Sequence, residues 1–219
     1  MIRPIVPIIV KYGENRAYTY AMIDSAANTS AIKLDLLDLI NGHISQKNCK
    51  LATFGKNVRS QRDFTEFEIM PIDESFTLDV KNALVGNILT TERDRPPSNN
   101  DIRDLTYMKD VSFVELDDPT VAVILDAKFA WTWVGGETRL DAIDSPIAVK
   151  TRFGWTLIGP QLDDSPETDL EANVCLLDTE VCPLRTAIRH IFRHDFVMSE
   201  GNVAPPLLQR RSPVVKGQI

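Results

Sequence analysis

Residues 5–12 (IVPIIVKY) and 16–23 (RAYTYAMI) are β-rich runs on either side of Gly13-Glu14-Asn15, a pattern that predicts a hairpin. The second run stops abruptly on an acid. Tyr20-Ala21-Met22-Ile23 leads straight into Asp24, followed by Ser25, Ala26, Ala27 and the polar cluster Asn28-Thr29-Ser30. A strand running into a core seldom ends on a carboxylate, because burying an unpaired charge is costly. The chain therefore has to fold as a β scaffold that delivers one acidic loop at the end of a strand.

The rest of the first 160 residues continues the β pattern. Residues 49–54 and 64–72 read as a second strand pair, and the polar stretch 55–63 reads as a mobile hairpin tip. Residues 76–85 predict another strand and 121–125 (VAVIL) a short, wholly apolar one. Ala127 to Trp133 reads as a helical turn leading to Gly135-Gly136. Residues 146–158 predict a hairpin that turns near Arg152-Phe153-Gly154. Ser30 to Ile40 has apolar residues at 32, 36, 39 and 40, the spacing of a short amphipathic helix, with Asn28 or Ser30 as its cap and Gly42 beyond its end. Charge and Pro96-Pro97 make about 92–110 a loop or insertion. From Gln161 on, the composition predicts a linker, a weak helical pattern over 182–197 and a partly disordered tail. The expectation is a mainly β domain over 1–160, with one or two short helices, and a connector over 161–219.

Composition narrows the function. The chain has 219 residues, 43% hydrophobic and 25% charged, and a net charge of −7, which disfavours direct nucleic-acid binding. No apolar run reaches the roughly 20 residues that cross a bilayer, so no membrane partner is expected. Cys49, Cys175 and Cys182 are few and odd in number, and Met1-Ile2-Arg3-Pro4 lacks the apolar core of a signal peptide; both point to a cytoplasmic setting. Cys175, Cys182, His190 and His194 are spaced unlike a zinc finger, so no metal or other cofactor is expected. Trp131, Trp133 and Trp155 read as core packing. Ala142-Ile143-Asp144-Ser145 repeats the acidic pattern of the first loop, but Pro146 stands in the third place of the motif, where the first loop has Ala26.

The Ile23-Asp24-Ser25-Ala26 segment resembles the catalytic loop of aspartic proteases, in which apolar residues precede Asp, Ser or Thr, and Gly. Ala26 stands where that family has glycine. The order of elements looks like a retropepsin, the single-lobed aspartic protease of retroviruses and retrotransposons. Residues 121–160 sharpen the resemblance to the protease region of BEL/Pao retrotransposon polyproteins. Pro146, Ala148, Lys150, Thr151, Gly154, Trp155, Gly159 and Pro160 match its Pro-x-Ala-x-Lys-Thr-x-x-Gly-Trp-x-x-x-Gly-Pro signature. That family also has an apolar Leu-Ile-Gly-x-Asp strand; here Asp126 stands at its glycine and Lys128 at its acid.

The resemblance implies a single-lobed acid-protease barrel that works as a homodimer on polypeptide, inside the cell or in retroelement particles. Asp24 would be the catalytic acid/base, with Ser25 and Ala26 in the supporting loop. Ser25 would hydrogen-bond across the dimer, and about 54–64 would be a flap over substrate. Residues 161–219 would correspond to the connector before a reverse transcriptase. The chemistry is intelligible without the family: two neighbouring carboxylates share a proton, and between them they activate water and protonate the peptide carbonyl. One Asp per chain then requires two chains. Ala26, Asp126 and Lys128 point to a second class of function, a non-catalytic dimerisation or peptide-binding module on the same fold. Either way, Asp24 is expected at the end of a buried strand, close to residues 121–128.

Overall fold

The computed structural model describes residues 2–53, 56–88, 94–160 and 177–178 of the chain. The first hairpin forms as the sequence predicts. β1 (Ile5–Tyr12) pairs antiparallel with β2 (Asn15–Ile23), from Ile5↔Met22 to Tyr12↔Asn15. Gly13 makes the reversal at φ +59°, a left-handed angle that glycine adopts without penalty. β2 then pairs parallel with β8 (Val121–Leu125). β8 pairs antiparallel with β3 (Ala31–Ile32), which pairs parallel with β6 (Leu78–Val85). β6 pairs antiparallel with β5 (Lys56–Met70), and β5 returns to β1 through Ile9↔Met70 and Lys11↔Glu68. The circuit β1-β2-β8-β3-β6-β5-β1 closes a six-stranded barrel, so the protein is mainly β.

Alternation explains which residues fill it. Val6, Ile8 and Val10 of β1, Ala21 and Ile23 of β2, Val123 and Leu125 of β8, and Phe67 and Ile69 of β5 share one apolar cluster. They are every second residue of their strands, as a pleat requires. On β1 and β2 the residues of opposite parity, Ile5, Tyr20 and Met22, form a separate cluster, joined by Val121 of β8, which precedes the irregularity in the β2–β8 pairing. β8 is buried at all five positions because strands flank both its edges and side chains cover both its faces. Its unbroken apolar run is the sequence form of that burial.

Two expectations need correction. β4 (Ser45–Thr53) pairs with β5 from Ser45↔Phe64 to Thr53↔Lys56, so residues 56–63 of the supposed 55–63 tip are strand. Residues 45–49 and 59–63 are all at least partly exposed, so this ribbon lacks the alternation that betrays a strand with one buried face. Ala31–Ile32 is not the first turn of a helix, because both its edges are taken by β8 and β6. The helix, α1, runs only over Leu34–Leu39; neither Asn28 nor Ser30 caps it, and Leu39 is exposed rather than core. Gly42 does close it, its N–H donating to Leu37 O at 2.9 Å. The loop or insertion expected at about 92–110 is irregular from Asp94 on, with its apolar residues packed inward. Two short 3-10 turns (Asn99–Ile102 and Thr106–Met108) bury Ile102 and Met108, and with Val111 and Phe113 these pack on Ala148 and Leu157.

Ala148 and Leu157 belong to the predicted second hairpin, β10 (Ile147–Thr151) with β11 (Gly154–Ile158), edged by β9 (Thr138–Arg139). Gly136 lies so close to this sheet that a Cβ there would sit 1.9 Å from the Lys150 carbonyl oxygen. Thr156 fastens the hairpin to the barrel: wholly buried, its hydroxyl accepts from Ile5 N at 2.9 Å and donates to Ile5 O at 2.8 Å. Beyond residue 160, the pair Leu177–Asp178 (β12) lies antiparallel to Asn87–Ile88 (β7). The expected 182–197 helical pattern lies outside the described residues.

Two predictions follow from these contacts. Thr156→Val keeps the shape but leaves the buried Ile5 N–H without its acceptor, which should cost about 1–3 kcal/mol in urea unfolding, with Thr156→Ser milder. Arg139 joins Asp110 of the irregular segment to Glu137. Its hydrogen bonds hold the Asp110 carboxyl below the usual range, while Lys150 and then Arg139 do the same for Glu137. Depressed carboxyls stabilise the fold above the unfolded value, about 4, and lose that contribution as pH falls through their folded values. Arg139→Gln should therefore flatten the acid limb of stability against pH and raise both carboxyl titrations seen by NMR.

Candidate active site

Ile23 ends β2 at 2% exposure, and Asp24 is the first residue beyond it. The Asp24 N–H donates to Leu125 O at 2.9 Å, which continues the β2–β8 pairing by one bond after β2 has ended. The chain then turns sharply. Ala27 N donates to Asp24 O at 3.2 Å, and Ala26 N donates to Asp24 Oδ1 at 2.9 Å. This backbone-to-carboxylate bond, from two residues downstream, is the arrangement that short acidic side chains favour in turns. It orients the carboxylate and uses one of its oxygens; the other carries no hydrogen bond among the described residues. Asp24 is half-buried, while Ser25 and Ala26 are exposed at the tip. Ala26 is not among the residues with positive φ, so its methyl group imposes no backbone strain on the turn.

The loop lies along the residues that follow β8. Ala127 N donates to Ala27 O at 3.0 Å, and Asp126 N donates to the Ser30 hydroxyl at 3.1 Å. Asp126 is 3% exposed. Its Oδ1 accepts from Lys128 N at 2.8 Å, capping the 3-10 helix Ala127–Thr132, and its Oδ2 lies 3.6 Å from Lys128 Nζ. Asp126 and Lys128 thus act together, the acid at 126 being held by the amide and ammonium of 128. Sequence reasoning missed Ser30 and Asp126 as parts of the site. The sequence offers Ser30 only as an alternative to Asn28 for a helix cap, because a two-residue strand leaves no periodic signal, and it marks Asp126 only as an acid in place of glycine.

Other candidates fall elsewhere. Asp144 is exposed in the segment leading into β10, not at the end of a buried strand, and Ser145 N bonds back to Ala142 O. Trp131 is 47% exposed rather than core, with the Arg152 guanidinium 5.4 Å from its ring centre. Trp155 is half-buried under Arg139 and Lys150. Trp133 is partly buried. Cys175, Cys182, His190 and His194 lie outside the described residues. Among the described residues, no group of three or more His, Cys, Asp or Glu is placed to hold a metal ion, and no helix is long and apolar enough to cross a membrane. The chain matches no protein-family model and no curated protein.

The cap at 126 is testable by itself. Asp126→Ala should lower stability by about 1 kcal/mol in urea unfolding, the usual loss for an N-terminal cap. Lys128→Ala should change it far less, because the Lys128 side chain is 76% exposed and its ion pair is screened.

Proposed function

We propose that this chain is an aspartic endopeptidase of the retropepsin type, acting on a retroelement polyprotein of the BEL/Pao kind. The observation that carries this reading is the state of Asp24: an oriented carboxylate with one open oxygen, at the end of a buried strand, on a loop tied to residues 125–127. Two such loops, facing each other across a two-fold axis in a homodimer, bring two carboxylates together that hold one proton between them. The ionised member takes a proton from water as its oxygen attacks the peptide carbonyl carbon. The protonated member gives its proton to the carbonyl oxygen, and collapse of the tetrahedral intermediate breaks the C–N bond with a proton passing to the leaving amine. The β4–β5 hairpin supplies an arm long enough to close over an extended polypeptide.

One observation favours a second reading. Ala26 exposes its methyl group at the tip of the loop, where a twin loop has to approach. On that reading, the chain is a non-catalytic dimerisation or peptide-binding module.

Peptide-cleavage assays separate the two. Asp24→Asn should abolish cleavage with the fold intact, since an amide keeps the shape but cannot take the proton. Wild-type activity should rise in mildly acidic solution and fall with the square of protein concentration on dilution below the dimer constant. Ala26→Gly should raise turnover or tighten the dimer. A wild type that cleaves no peptide at acid or neutral pH, with Ala26→Gly making no difference, would leave the binding module standing.

A further inference from the structure

We infer that Ser30 is a positioning residue for Asp24, fixing the acidic loop within a single chain through the Asp126 amide. The inference rests on the reading of Asp24 as the acid/base group and adds to it the part that holds Asp24 still. Three hydrogen bonds tie residues 24–30 to residues 125–127: Asp24 N to Leu125 O, Ala127 N to Ala27 O, and Asp126 N to Ser30 Oγ. The first two are backbone to backbone and demand no particular side chain. Only the third depends on which residue is present.

Burial makes it matter. Ser30 is 1% exposed and Asp126 3% exposed, so neither the hydroxyl nor the amide has water to turn to when the other is lost. The backbone of Ser30 is itself anchored, its carbonyl accepting from Leu84 N of β6 at 2.9 Å. Ser30 therefore joins two rigid parts of the barrel, β6 through its carbonyl and the end of β8 through its hydroxyl. The loop carrying Asp24 is closed at one end by the Leu125 bond and at the other by this one. Ser25 has no equivalent role within the chain: it is exposed, and its hydroxyl makes no hydrogen bond among the described residues.

The test combines amide hydrogen exchange, followed by NMR on the full chain, with peptide kinetics. In the wild type, the Asp126 amide should exchange as slowly as barrel amides such as Ile9 and Ile69, although it lies beyond the end of β8. Ser30→Ala should speed exchange at Asp126 and Asp24 by at least about tenfold while Ile9 and Ile69 stay protected, and Ser30→Thr should restore it. The same Ala variant should lower kcat with little change in KM, because the carboxylate is misplaced rather than the substrate site lost. Fast exchange at Asp126 in the wild type overturns the inference even if Ser30→Ala fails to fold. Unchanged exchange at Asp126 and Asp24 in Ser30→Ala overturns it whatever the activity. A wild type inactive toward peptide, with the exchange pattern as expected, overturns the protease reading alone and leaves Ser30 as the fastening of the loop.

Discussion

One parallel pairing, β2 with β8, governs the acidic end of the molecule. Hairpins join strands that run in opposite directions and so leave the C-terminal ends of the two strands at opposite ends of a sheet. A parallel pair does the reverse, and Ile23 and Leu125 finish side by side. Whatever follows each strand is delivered to the same place. Asp24 and Asp126 are those two following residues, and the bond from Asp24 N to Leu125 O ties one exit to the other. β8 reaches this position only by threading between β2 and β3, which removes both its edges from solvent.

The two aspartates then diverge through their surroundings. Asp126 is enclosed and its oxygens are committed to the backbone and side chain of Lys128. Asp24 is half-open, held by a single amide from its own turn. A buried carboxylate held by an amide and an ammonium is a structural part, whereas an oriented and accessible one is available for chemistry. Chemical identity does not separate them; the number of donors around each does.

Much of this was legible in the sequence wherever burial is one-sided or complete. The 5–23 hairpin showed itself through two β-rich runs around Gly13, β8 through five apolar residues in a row, and the β10–β11 turn through Gly154. Asp24 stood out because an acid broke an apolar run. What could not be read was pairing without periodicity. Residues 45–49 and 59–63 of the β4–β5 ribbon include no buried position to impose alternation, and β3 is two residues long, its state decided by neighbours far away in the chain. Apolar spacing over 30–40 suggested a helix that the β8 and β6 edges partly claimed. Ser30 was misassigned for the same reason, since its partner at 126 is fixed only once the barrel closes.

β5 changes partners along a single edge. Its first part, from Lys56 to Phe64, pairs with β4, and from Glu68 to Met70 that same edge passes to β1, while β6 holds the other edge through the change. The register shift between Thr65 and Phe67 falls at the handover. Barrel closure therefore needs only the last few residues of a 15-residue strand. The β4–β5 arm beyond Phe64 can be shortened or extended by matched pairs of residues, each step of two per strand changing its reach by roughly 7 Å, with every remaining side chain kept on its own face. The length of this arm is thus a dimension that can vary without the barrel, or the acidic loop it carries, having to change with it.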